Sequence, residues 1–130
     1  MKIHDENKNL LAIVIRSKQI EKGKNFVTNN DNEFQLASFL LDENEVIEKH
    51  YHPQQERNIK NTSEVLVLLE GEMLIEIFNS NLELVDTMSL YSGDTIGFYA
   101  GGHGIKLITK CKFIEVKQGP FDESTDKKRF

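Results

Sequence analysis

Cysteine occurs once in this chain, at Cys111, proline twice, and tryptophan not at all. One cysteine excludes an internal disulfide and a thiolate cluster for zinc, and it points to a reducing, cytoplasmic setting. Two prolines and no biased tract leave nothing that reads as a linker or a repeat array. No apolar run approaches the roughly 18 residues that a membrane helix needs. The N-terminus, Met1-Lys2-Ile3-His4-Asp5-Glu6, goes straight into polar residues and does not read as a secretory leader. A basic excess is missing too: 16 Lys and Arg stand against 21 Asp and Glu, a net charge of −5. A nucleic-acid binder would show a basic surface or stripe. Neither nucleic acid nor membrane is therefore expected as a partner, although a local positive patch can still hold a small anion.

What remains is a chain of 130 residues with 38% apolar and 28% charged content, the composition of one globular domain spanning residues 1–130. Its apolar runs are short and rich in β-branched residues. Leu10–Ile15, Phe26–Thr28, Phe34–Leu41, Val46–His52, Glu64–Leu69, Met73–Ile77, Leu82–Leu90, Thr95–Tyr99, Ile105–Thr109 and Lys112–Lys117 all read as strands. Turn signals separate them, such as Asn79-Ser80-Asn81 and Ser92-Gly93-Asp94. Pro53 to Ser63 is a long polar loop, and Ser17 to Lys24 reads as a turn or one helical turn. Short strands at this spacing predict an all-β sandwich or barrel, with no long helix.

Two of the four histidines form His50-Tyr51-His52. In a strand, residues i and i+2 share a face about 7 Å apart, so both imidazoles can converge on one ion while Tyr51 faces away. Glu64 opens the next apolar strand, where a lone carboxylate needs a partner. His103 sits in a glycine-dense corner, Gly101-Gly102-His103-Gly104, where backbone can approach a ligand closely. His50, His52, Glu64 and His103 would make a mixed nitrogen and oxygen donor set suited to Fe(II), Mn, Ni, Co or Zn. The plainer alternatives are two strand histidines bonded to neighbours, and Glu64 paired with Lys60 or Arg57.

These residues resemble the cupin family. His50-x-His52 followed by Glu64, with six residues between it and Gly71, looks like the first cupin motif, and Gly93-Asp94 with Gly102-His103 looks like the second. The resemblance implies a double-stranded β-helix, a small jelly-roll barrel whose core spans about residues 34–117, with a divalent transition metal inside held by His50, His52, Glu64 and His103. The sequence departs from the pattern in three places. Eleven residues, 53–63, separate His52 from Glu64, and Glu56 lies at the usual shorter gap. Glu64 is the preferred ligand because it abuts the core strand. Ala100 stands where a proline is usual, and Leu107 where an asparagine is.

The C-terminal Glu115-Val116-Lys117-Gln118-Gly119-Pro120-Phe121 and Asp126-Lys127 look like a branch of small cupins found in bacterial surface-polysaccharide gene clusters. By that analogy the barrel binds or converts a small sugar or carboxylate, with isomerase or epimerase chemistry preferred over a non-catalytic sensor or accessory module. Arg57, Lys60 and Tyr99 are candidates for the substrate pocket, the two cations as a clamp for an anionic group. A homodimer is expected, with Leu10–Ile15 as a candidate contact. Residues 122–130 read as a charged tail, either solvated or docked against a neighbour.

Overall fold

The computed structural model describes Met1–Phe130 and contains ten strands: β1 (Lys2–His4), β2 (Leu10–Ile15), β3 (Gly23–Phe26), β4 (Ala37–Leu40), β5 (Glu64–Glu70), β6 (Glu72–Phe78), β7 (Leu84–Tyr91), β8 (Thr95–Phe98), β9 (Gly102–Leu107) and β10 (Lys112–Lys117). The only helical element is a 3-10 turn at Ser17–Gln19. The strands form three antiparallel sheets, in the orders β1-β2-β8-β5-β10, β7-β6-β9 and β3-β4. The protein is all-β. The sheets stay separate, so hydrogen bonds do not close a barrel.

Period-two patterning decides which faces meet. On β6, Met73, Ile75 and Ile77 are fully buried while Leu74 and Glu76 point the other way. Leu66 and Leu68 of β5, Ile96 and Phe98 of β8, and Ala12 and Val14 of β2 join them in one core shared by the five- and three-stranded sheets. Each of these side chains other than Ala12 contributes roughly 1.5–3 kcal/mol when fully buried. Gly71 links β5 to β6 at φ +102°, and a side chain there would collide with the Lys110 carbonyl oxygen. Asn79 shapes the next hairpin: its side-chain oxygen accepts from the Asn81 and Glu83 amides, each at 3.0 Å.

A second polar joint fixes the far end of the core. The Asp94 carboxylate accepts from the Arg16 guanidinium at 2.7 Å and from the Ser17 and Tyr91 amides at 3.0 and 3.2 Å. It ties the end of β2 to the turn between β7 and β8.

The main departure from expectation lies at Val46–His52. Residues 41–63 carry no strand. Val46 and Tyr51 are more than four-fifths exposed, and no sheet edge hydrogen-bonds to them. Alternation sets how a strand would orient, but a strand forms only where a partner satisfies its backbone. The expected strands over 26–28 and 34–41 shift or shorten to β3 and β4, and the three-residue β1 was not expected. β2 runs inside the five-stranded sheet with Leu11, Ala12, Ile13 and Val14 buried by their own chain, so it offers no free edge to a second copy.

Candidate functional site

Glu64 and His103 meet where the five- and three-stranded sheets open at one end. Glu64 is the first residue of β5, flanked across the ladders by Phe98 on β8 and Lys117 on β10. It shares the inward face with Leu66 and Leu68, two residues apart each time. His103 lies opposite the buried Ile77 in the β6–β9 register, so its ring also turns toward the core. The result is a contact of 3.2 Å between His103 Nε2 and Glu64 Oε1.

Three features fix this pair. The Phe98 ring stacks on the His103 imidazole with centroids 4.0 Å apart and planes within 13°. Gly101 takes φ +70° directly before β9, and any side chain there would strike the Phe78 carbonyl oxygen. Hydrogen bonding from His103 then holds the Glu64 carboxyl below its ordinary pKa, against the opposing effect of burial. The charges of His103, Lys117 and Lys127 add to the lowering. Glu64 is thus a partly buried carboxylate that keeps its charge.

The pair opens into a cavity of about 660 Å³. Its wall includes Glu76, Glu115 and Lys117, and residues Asp126–Phe130 of the C-terminal tail form its outer side. Lys117 is nearly covered and acts as a local hub. Its ammonium reaches Asp126 at 2.7 Å and Glu115 at 3.7 Å, and it lies 4.9 Å from the centre of the Phe121 ring. Asp126 raises the Lys117 pKa by hydrogen bonding.

The structure brings together two of the four expected metal ligands. Glu64 and His103 touch. His50 and His52 lie near each other, with ring centroids 5.3 Å apart, but in the exposed segment that carries no strand. No group of three or more His, Cys, Asp or Glu side chains is gathered so as to hold a metal ion. The residues as placed make half of a donor set, because a transition-metal site needs three or four ligands.

The other expectations separate as follows. Glu56 and Arg57 are exposed in the loop and do not line the cavity, and Lys60, also exposed, donates its amide to Glu33 at 3.1 Å. Tyr99 is not at the mouth. Strand alternation puts it on the opposite face of β8 from Phe98, against Phe34, with its hydroxyl buried and unpartnered. Burial pushes that phenol up to about 12. Lys117, Asp126 and Phe130 were not anticipated as site residues. The signal for Lys117 was its period-two spacing from Glu115 on a strand. Nothing local in the sequence marks where the tail returns.

No protein-family model, curated protein or solved structure matches the chain.

Proposed function

We propose that the mouth around Glu64 and His103 is the binding site of a cupin-type metalloprotein for a small sugar or carboxylate, with isomerase or epimerase chemistry. The observation that carries this reading is the 3.2 Å contact between Glu64 and His103, from non-adjacent strands in different sheets, beside an open cavity. Replacing such a pair by apolar side chains is often neutral or stabilising, so its presence at a cavity mouth favours a binding role.

The reading requires His50 and His52 to join that pair. β9 pairs only with β6 and so has a free edge, and its Ile105 and Leu107 are over a third exposed although they face the core side of the register. Residues 46–52 added along this edge would satisfy its backbone, cover both sets of exposed apolar residues and place the two histidines beside His103. That addition is also what a jelly-roll barrel demands of this chain. A bound divalent metal would supply Lewis acidity to a substrate oxygen. The chain's own contribution is plainer: Phe98 stacks on the His103 ring and holds it 3.2 Å from the Glu64 carboxylate, so the pair presents an oriented carboxylate and imidazole to the cavity.

The test is incubation of the protein in deuterated water with one equivalent of Mn, Fe(II), Co, Ni or Zn and a panel of aldoses, sugar nucleotides and keto acids, followed by NMR. The expected result is deuterium at one substrate carbon, lost in His103→Ala. Saturable binding without exchange would identify a sensor or accessory module. Neither binding nor exchange across the panel overturns the reading. The same proposal includes a homodimer through the free edge of β10, where Ile114 and Val116 are half exposed. Light scattering that shows a monomer at micromolar concentration would contradict it.

A further inference from the structure

Residues 122–130 leave the end of β10 and return across the mouth as a strap with an anchor at each end. Asp122 makes the return: its carboxylate accepts from the Ser124 amide at 2.9 Å and its carbonyl from the Asp126 amide at 2.8 Å. That turn delivers Asp126 to Lys117 at 2.7 Å, with only 8% of the Asp126 side chain exposed. At the other end the Phe130 ring, still 65% exposed, stands edge-on to Phe78 at 5.1 Å and lies against Gly102, where a methyl group would lie 2.8 Å from the ring.

Between the anchors lie Lys127, Lys128 and Arg129, three consecutive cations on the cavity's outer side. None of them forms an ion pair or a side-chain hydrogen bond within the chain. On the wall, Glu64 contacts His103, Glu115 shares Lys117 with Asp126 of the strap, and Glu76 forms no ion pair. Charge in the cavity is therefore separated, with Glu64, Glu76 and Glu115 at the wall and, on the strap, three cations that form no ion pair. A protein of net charge −5 has concentrated three unpaired positive groups in one short stretch over a cavity.

We propose that the mouth takes a small hydroxylated ligand bearing an oxyanion group, carboxylate or phosphate, and that Lys127, Lys128 and Arg129 hold that group beneath the strap. The inference rests on the reading of the mouth as a ligand site and adds which end of the ligand goes where. A guanidinium presents a fork that matches an oxyanion, and two ammonium groups add charge. The hydroxyl groups of the body then point to the wall, where Glu64 and Glu76 accept hydrogen bonds. The wall carboxylates repel a ligand bound the other way round.

The test is an NMR titration of the full chain with inorganic phosphate and, separately, malonate, in chelator and at constant ionic strength. Both probes are expected to shift the Gly102–Gly104 and Lys127–Phe130 amides saturably. Lys127→Gln with Arg129→Gln should weaken binding about tenfold or more. Lys18→Gln with Lys24→Gln removes the same charge elsewhere and should leave binding unchanged. These positions are exposed, and a dispersed spectrum confirms that each variant is folded. Unsaturable shifts, or equal weakening by both pairs of substitutions, would overturn the proposal. His50→Ala with His52→Ala separates it from the metal reading, because that variant should lose metal and keep the anion. A saturable response to phosphate alone, or to malonate alone, would assign the site to that group.

Discussion

Glu64 illustrates what one residue reveals. A carboxylate that opens a buried strand has to find a partner, and the structure supplies His103 at 3.2 Å. Its lowered pKa fixes the sign of a pH effect. A carboxyl with a folded pKa below its unfolded 4.5 contributes stability that is full above that value and is lost as pH falls through the folded pKa. In chelator, wild type should exceed Glu64→Gln by about 1 kcal/mol at neutral pH. Denaturant melts should show that advantage persisting to about pH 5 and shrinking below about pH 4; an advantage that grows below about pH 4 would contradict the pairing. Tyr99 gives the opposite case. Its hydroxyl is buried without a partner, so Tyr99→Phe should be neutral or raise stability by up to about 1 kcal/mol, read as an unchanged or higher Tm. A clear loss would show that the hydroxyl has a partner. Sequence alone misplaced Tyr99 because one step along a strand reverses the face.

Elements were legible where an apolar run pairs with at least one neighbouring strand. The bounds expected for Leu10–Ile15 and Lys112–Lys117 are those of β2 and β10, and Glu64–Leu69 differs from β5 by one residue. Legibility failed at Val46–His52, where the pattern was right for a strand but no edge pairs with it, and at β1, where Ile3 is the only buried residue in three. Joints between elements depend on single polar groups. Asp94→Ala would leave Arg16 and two amides without their acceptor and should cost about 3 kcal/mol, measured as a lower denaturation midpoint at unchanged slope. A cost below about 1 kcal/mol would mean that water replaces the carboxylate readily.

At the scale of the molecule, a single apolar core holds the five- and three-stranded sheets together, and a cavity opens at one end of it. Around that cavity lie the proposed site residues Glu64 and His103, with the strap outside, and β9 and β10 each leave one edge unpaired. The sheets and the core could be read from period-two patterning. The strap could not, because its return depends on one ion pair and one aromatic contact distant in sequence. Nor could the position of His50 and His52, which depends on an edge rather than on their spacing.

Cobalt(II) titration read by visible absorption tests the central claim most directly, on wild type, His103→Ala, and His50→Ala with His52→Ala. One tight equivalent in wild type, lost in both variants and accompanied by a gain of strand signal in far-ultraviolet circular dichroism, is the predicted result. Cobalt bound equally well without His50 and His52, or not bound by wild type at all, would contradict it.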